Sequence, residues 1–210
     1  MMRQRTALIL GGAALAGAAL VAAYVVRSRR NPSACPYGQS FVLEAPRPFF
    51  TRAHLREILA PSPGERVLEV GPGRGYYALD VARWLLPGGT LDILDLQPDM
   101  LRVTMRRATE RAISNIVATH GDAQTLPYAD GAFDAAYLVA TLGEAPDTDA
   151  VLRELRRVLK PGGRLVVGEG APDPHMVSFA TLRSHAEDAG LHFERRRGRN
   201  FGYFASFRVR

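Results

Sequence analysis

The sequence contains very little cysteine and lysine. Cys35 is the one cysteine among 210 residues, so an intrachain disulfide or a cysteine-based zinc site is impossible, and we expect no metal. A single cysteine also fits a reducing compartment. Lys160 is the one lysine, so nearly all of the positive charge behind the net charge of +6 is arginine. Such an excess predicts solvated arginine faces or attraction to anionic lipid head groups and acidic substrates.

Aromatic residues are missing from the one arginine cluster of the predicted folded part. The run RRRGR, residues 195–199, falls in a predicted hairpin and has no aromatic side chain between its arginines. Single-stranded nucleic acids are commonly held by basic groups combined with aromatic stacking platforms. We therefore do not expect a nucleic acid as a partner.

Charge is absent from the N-terminal stretch Thr6–Val26, TALILGGAALAGAALVAAYVV. As a helix this stretch would span about 31 Å, which matches a bilayer core. It is flanked by Arg3 and Arg5 on one side and by Arg27, Arg29 and Arg30 on the other. We predict one transmembrane anchor over residues 6–26, with the C-terminal side cytoplasmic; a cleavable signal peptide is the alternative. The predicted domains are an anchor (1–30), a linker and covering segment (31–64) and a main domain (65–210).

From residue 65 onward, apolar runs alternate with helical periodicity. The pattern predicts strands at about 66–70, 90–96, 115–120, 133–139 and 164–169, and helices at about 75–86, 98–112, 147–159 and 174–189. The motif KPGG, residues 160–163, is expected to end the third helix. Two alternating runs around GRN predict a closing hairpin. This order is typical of an α/β fold with a mostly parallel sheet.

A glycine cluster follows the first predicted strand in RVLEVGPGRGYYALDVA. Gly71, Gly73 and Gly75 form G-x-G-x-G, which lets the backbone turn sharply and lie against a ligand. A dinucleotide loop normally has G-x-G-x-x-G, and a P-loop requires G-K-[ST]. Glu69, two residues before the first glycine, would repel a pyrophosphate. It suits a ligand that carries an ammonium group and a sulfonium.

Two further carboxylates follow the next predicted strands. Asp95 ends the second strand in LDILDLQPDM, where it could accept both hydroxyls of a ribose. Asp122 follows the third strand in HGDAQTLPY, where a short loop could bond an adenine amino group. A turn-forming role explains either residue alone. Their joint occurrence after successive strands favours a nucleoside site.

These motifs together resemble those of class I S-adenosylmethionine-dependent methyltransferases. The segments VLEVGPGRGYYAL, LDLQPDML, GDAQTLPYADGAFDAAYLVATL and LRELRRVLKPGGRLVVGE are most similar to the methyltransferase type 11 branch of ubiquinone and menaquinone biosynthesis. The resemblance implies a Rossmann-like seven-stranded sheet whose last strand is antiparallel. It also implies S-adenosylmethionine as the cofactor. The implied contacts are Glu69, Gly71 and Gly73 for the methionine part, Asp95 for the ribose, Leu96, Asp122 and Ala123 for the adenine, and Leu138 near the methyl donor. Gly75 is a further predicted cofactor-binding residue.

The acceptor side of the predicted site is less defined. The branch often has a histidine after strand 4, where this sequence has Gly143 and Glu144 in ATLGEAP. No catalytic residue is assigned. Candidate substrate contacts or bases are Tyr37, Tyr76, Tyr77, Glu144, Glu169 and His175. The segment CPYGQSFVLEAPRPFF is a candidate lid, in which Tyr37, Phe41 and Phe49 could line an apolar acceptor site.

We therefore expect a membrane-tethered methyltransferase of the cell membrane, single-pass, with its catalytic domain cytoplasmic. The anchor suggests a lipid or quinone acceptor, although any small molecule is compatible with the motifs. Two alternatives stay open. One is an NAD(P)-dependent oxidoreductase, and the other is a non-catalytic membrane protein that binds S-adenosylmethionine.

Overall fold

The computed structural model describes residues 23, 25–28, 32–38 and 50–210. The seven strands are β1 (Arg66–Val70), β2 (Thr90–Asp95), β3 (Ile116–His120), β4 (Phe133–Val139), β5 (Leu159–Gly170), β6 (Leu191–Arg199) and β7 (Gly202–Val209). The helices from residue 50 onward are α1 (Arg52–Leu59), α2 (Ala78–Trp84), α3 (Pro98–Glu110), α4 (Thr148–Val158) and α5 (Phe179–Asp188), with a short 3₁₀ helix at Leu142–Glu144.

All seven strands form one sheet in the order β3-β2-β1-β4-β5-β7-β6. The pairs from β3 through β5 are parallel, and β7 is antiparallel to both β5 and β6. The direction in which successive strands are added to the sheet reverses between β1 and β4. The connections that follow these two strands therefore run to opposite sides and leave a crevice between them. Open α/β sheets bind ligands at such a switch point.

Helices cover both faces of the sheet. Alternate residues of β1 point to opposite faces, so Val67 packs with α1, α2 and α3 while Leu68 and Val70 pack with α4 and α5. Strands buried on both faces read as nearly continuous apolar runs. The C-terminal hairpin completes the core with Phe204 on one face and Phe207 on the other.

The predicted seven-stranded, mostly parallel sheet with its antiparallel C-terminal hairpin is confirmed. The limits of β1 and β4 agree with prediction, but three other limits were wrong. Helix α2 begins at Ala78 rather than at residue 75, because Gly75 has a φ of +81° and a right-handed helix excludes that value. The motif KPGG belongs to β5, whose pairing with β4 shifts register between Phe133 and Ala135. Helix α5 begins only after Ser178, whose side chain caps it.

The predicted anchor over residues 6–26 lies almost wholly outside the described residues. Across the stretches that the structure does describe, no helix has the length and apolar character needed to cross a bilayer. Phe41 and Phe49, the two phenylalanines named for the candidate lid, also lie outside the described residues.

Gly170 provides a first stability prediction, because it leaves space for an aromatic ring at the end of β5. A Cβ there would lie 2.2 Å from Cζ of Phe50, whose ring packs edge-on against Phe204. Gly170→Ala should therefore lower the free energy of unfolding by about 1–3 kcal/mol through overpacking. Gly38→Ala is the matched control, since nothing lies within 4 Å of a Cβ at Gly38. Denaturant titration measures both, and equal stability of the two variants would contradict the packing argument.

Candidate functional site

A cavity opens at the carboxyl ends of β1, β2 and β4. Eleven of the residues singled out in the sequence line it, namely Glu69, Gly71, Gly73, Tyr76, Tyr77, Asp95, Leu96, Asp122, Ala123, Leu138 and Glu144. They come from four separate connections, which the parallel sheet brings to one edge. The structure therefore brings together the glycine loop and both downstream carboxylates as expected.

The glycine loop is built for close backbone approach. Gly71 has a φ of +70°, and a Cβ there would lie 2.5 Å from Cγ2 of Thr141 in the connection after β4. Its N–H donates to the Leu94 carbonyl on β2. Gly73, with a φ of +54°, donates its N–H to Oδ2 of Asp95 at 3.4 Å. The loop is thus held between β2 and the connection after β4, with its backbone lining the cavity.

Asp95 is buried at the end of β2 and points into this edge. Its Oδ1 accepts the N–H of Gln97 at 2.9 Å, while Oδ2 faces the Gly73 amide. Burial raises the pKa of the Asp95 carboxyl, and these two amide donors oppose the rise. A carboxylate held this way keeps lone pairs for a donor that enters the cavity.

Glu69 is the most deeply placed carboxyl of the cavity, with 3% of its surface exposed. Its pKa is raised to about 8, chiefly by burial; the Tyr137 hydroxyl opposes the rise and the nearby Asp95 charge adds to it. Its Oε2 has no hydrogen-bond partner among the described residues. The Tyr137 ring lies at the same register position on β4. A buried carboxyl with an unsatisfied oxygen is suited to a ligand cation.

Asp122 is fixed by its own loop. Its Oδ1 accepts the N–H of Gln124 at 2.9 Å, and the Gln124 amide donates to both carboxylate oxygens. Oε1 of Gln124 in turn accepts the N–H of Asp147, the N-cap of α4. The loop after β3 is therefore held to the start of α4, and Gln124, which also lines the cavity, was missed from the sequence.

Two predicted site residues do not line the cavity. A Cβ on Gly75 would lie 2.9 Å from Cγ2 of Thr104, so this glycine serves the packing of the loop on α3. Tyr37 is 42% exposed, and its N–H donates to Oε1 of Gln97 at 3.1 Å.

Among the described residues, no group of three or more potential ligands could hold a metal.

Comparison with known families settles the relationship that these motifs suggest. The model of the ubiE/COQ5 methyltransferase family matches residues 49–182, well over half of the chain. The chain belongs to the ubiE/COQ5 methyltransferase family. The prediction of a class I methyltransferase is thereby confirmed, and S-adenosylmethionine is the cofactor that this membership identifies.

Individual relatives agree with membership of the ubiE/COQ5 family. A ubiquinone/menaquinone biosynthesis C-methyltransferase of Cellvibrio japonicus is 39% identical over 119 residues, covering 56% of this chain and 48% of that protein. A demethylmenaquinone methyltransferase of Geobacillus sp. is 33% identical over 119 residues, covering 57% and 50%. The chain thus spans about half the length of the curated relatives it matches.

A solved structure supports the fold of this family member. The crystal structure of a SAM-dependent methyltransferase from Aquifex aeolicus has a TM-score of 0.76 and 20% identity. The match covers 84% of this chain and all of that one. Identity at this level shows the fold alone.

A short segment that precedes the family match covers part of the cavity, and its residues 35–38 begin the candidate lid predicted from the sequence. Residues 32–38 lie at the mouth of the cavity, and Ala34 and Cys35 line it. The Gln97 amide donates to the Cys35 carbonyl at 2.9 Å and accepts the N–H of Tyr37. The Cys35 N–H donates to Oε1 of Glu144 at 3.3 Å. Residues 34–37 therefore bridge the connections after β2 and β4.

Two candidate bases lie behind the cavity rather than in it. Glu169, buried on β5, accepts the N–H of Val177 at 3.1 Å, and burial raises its pKa to about 8. The His175 carbonyl lies where a Cβ on Gly143 would be, at 1.9 Å, so this turn packs beneath the 3₁₀ helix. Neither side chain lines the cavity. Of the candidates named from the sequence, Tyr76, Tyr77 and Glu144 do line it.

Proposed function

We propose that the protein is an S-adenosylmethionine-dependent methyltransferase that acts on a lipid-soluble, quinone-type acceptor at the membrane. The observation that carries the proposal is the cavity at the switch point, where an unsatisfied buried carboxyl, a glycine loop and a second carboxylate converge. Family membership supports the reaction type. The names of the relatives, a demethylmenaquinone methyltransferase and a ubiquinone/menaquinone biosynthesis C-methyltransferase, suggest the acceptor class.

The residues present fit the cofactor. The unsatisfied Oε2 of Glu69 is matched to an ammonium group, and the absence of a Cβ at Gly71 lets the loop lie against Thr141, which also lines the cavity. We assign the methionine part to Glu69, Gly71 and Gly73, and the ribose hydroxyls to Asp95. Leu96, Asp122 and Ala123 would contact the adenine, and Leu138 would lie near the methyl donor.

The cofactor supplies an activated methyl group, so alignment of the acceptor and exclusion of water can provide much of the rate enhancement. The chain offers an apolar wall for this purpose. The rings of Tyr76 and Tyr77 pack edge-on at 4.8 Å, and both residues line the cavity, as do Val139 and Leu142. Such a wall favours a flat, apolar ring system.

We further propose that residues 6–26 anchor the protein in the cell membrane, with the catalytic domain on the cytoplasmic side. The charge-free stretch and its flanking arginines support the anchor. The segment that leads from it, residues 32–38, lies at the cavity mouth. A lipid-soluble acceptor would then reach the cavity without crossing bulk water.

Labelled-methyl transfer tests this proposal. Membranes that contain the full chain should transfer label from S-adenosylmethionine into a solvent-extractable lipid fraction, and the product can be identified by mass spectrometry. Leu15→Arg places a charge in the proposed anchor, at a cost of about 2.5–3.5 kcal/mol for insertion, and should lower both membrane retention and lipid labelling. Label that appears only in water-soluble products would contradict the acceptor class. Absence of transfer with intact cofactor binding would favour the non-catalytic interpretation.

A further inference from the structure

The tip of the C-terminal hairpin lies at the same sheet edge as the cavity. Gly202, the first residue of β7, pairs with Gly170, the last residue of β5. The Phe201 carbonyl accepts the N–H of Ala171 at 2.9 Å. Because β5 is parallel to β1 and β4, this tip lies at the carboxyl edge of the sheet, where the cofactor cavity opens.

The tip presents a large apolar side chain to solvent. Phe201 is 74% exposed, more than any other large apolar residue that the structure describes. Leu96, 56% exposed, and Tyr37 lie at the same edge. A single exposed apolar residue needs no explanation. Phe201 differs in that its ring stands on the two-residue turn between β6 and β7, from which it can enter an interfacial lipid layer.

Positive charge lies beside Phe201. Arg199 is exposed, and no carboxylate in the described part of the chain pairs with it. The Arg196 guanidinium stacks on the rings of Phe179 and Tyr203 at 4.5 and 5.1 Å and donates to the side-chain oxygen of Asn200. It has no carboxylate partner among the described residues either, whereas Arg197 is paired with Glu57. Two uncompensated guanidinium groups therefore flank the exposed ring.

Negative charge near the tip is largely covered. Asp173, in the turn after β5, has 17% of its side chain exposed, and its Oδ1 accepts the His175 N–H at 2.8 Å. Glu169 beneath this turn is buried. The outward surface of the tip is thus cationic and aromatic, which complements an anionic head-group layer.

The chain also limits how far this edge can lie from the proposed anchor. Val26 ends the charge-free stretch, and Ala34 lines the cavity mouth eight residues later. Eight residues span at most about 29 Å when fully extended. The carboxyl edge is therefore held close to the bilayer whenever the anchor is inserted.

From these observations we propose that Arg196, Arg199 and Phe201, the hairpin patch, form a second membrane contact. The patch docks on an anionic bilayer surface, with the Phe201 ring at the boundary of head groups and acyl chains. Docking would turn the mouth of the cavity toward the lipid. The inference draws support from the proposed anchor but depends neither on it nor on methyl transfer.

A tryptophan scan tests the patch in the full chain. Trp84 is the one tryptophan, so Trp84→Phe provides a silent background. In that background, Phe201→Trp should show a blue-shifted emission and quenching by brominated lipids in vesicles that contain phosphatidylglycerol, and less of both in phosphatidylcholine alone. Leu86→Trp is the matched control, since Leu86 is 49% exposed but precedes β2 at the opposite edge. It should show neither effect.

The charge contribution has its own matched pair. Arg199→Gln should lower the ratio of docked to undocked tip by about fivefold, the amount expected from one basic group near an anionic surface. Arg111→Gln should leave this ratio unchanged, because Arg111 is an exposed arginine that follows α3 at the opposite edge.

Flotation distinguishes failure of the patch from failure of the anchor. Salt-resistant flotation of the chain reports the anchor, and tryptophan quenching reports the patch. If Phe201→Trp is quenched by the lipids but flotation is lost at high salt, the anchor proposal is refuted and the hairpin-patch proposal is supported. Flotation without quenching of the Phe201→Trp protein, or equal quenching of the Leu86→Trp protein, would overturn the patch. A blue shift caused by single-stranded RNA without vesicles would also overturn the lipid assignment.

Discussion

Asp95→Ala should weaken the binding of S-adenosylmethionine by at least about 100-fold. Two ribose hydroxyls donating to this carboxylate would each contribute about 1.5–3 kcal/mol, because the acceptor is charged. The substitution also removes the acceptor of the Gly73 amide, so the glycine loop loses one of its ties to β2. Calorimetric titration with S-adenosylmethionine and S-adenosylhomocysteine measures the loss.

Asp130→Ala is the control for this loss. Asp130 has 81% of its side chain exposed and pairs with Arg157 away from the cavity, so its removal changes the net charge equally. Cofactor affinity should stay at the wild-type value. Asp95→Asn keeps one carbonyl acceptor and should bind with intermediate affinity. Unchanged binding by the Asp95→Ala protein would overturn the ribose assignment, and binding of NADH by the wild-type chain would restore the oxidoreductase interpretation.

The fold was readable from the sequence because its strands are buried on both faces. Strands β1 and β4 are short apolar runs bounded by turn residues, and both were predicted to the residue. The errors arose where tertiary contacts decide the backbone. The packing of Gly75 against Thr104 fixes a positive φ that delays α2, and pairing with β4 draws KPGG into β5. Local periodicity contains neither contact.

The same distinction applies to the site. Asp95 ends β2 and Asp122 lies two residues after the end of β3, so the order of strands along a parallel sheet was enough to place both at one edge. Gln97 reaches Cys35 over 62 residues, and Cys35 reaches Glu144 over 109. Such pairings depend on how a covering segment packs and carry no sequence periodicity. The signal for Gln97 was limited to its position two residues after Asp95.

Glu69 should make cofactor binding depend on pH. Because burial raises its pKa to about 8, the free protein keeps a proton on this carboxyl at pH 7. An ammonium group beside it favours the carboxylate, so binding should release close to one proton at pH 7. Affinity should then rise with pH, by up to about tenfold per unit below 8, until the cofactor amine itself loses its proton near 7.7–8.0. Calorimetry in buffers of different ionisation enthalpy measures the proton count.

Glu69→Gln separates this ammonium pair from general burial effects. The variant cannot ionise, so proton release should vanish, and affinity at pH 8 should fall by about 10- to 100-fold through loss of a charge-assisted hydrogen bond. Glu169→Gln is the matched control, since Glu169 is an equally buried carboxyl whose pKa is also raised to about 8 and which does not line the cavity. It should retain the proton release of the wild-type chain. Proton release that survives Glu69→Gln but disappears with Glu169→Gln would place the cofactor's ammonium group behind the 3₁₀ helix. That result would refute the assignment of the ammonium group to Glu69 on β1.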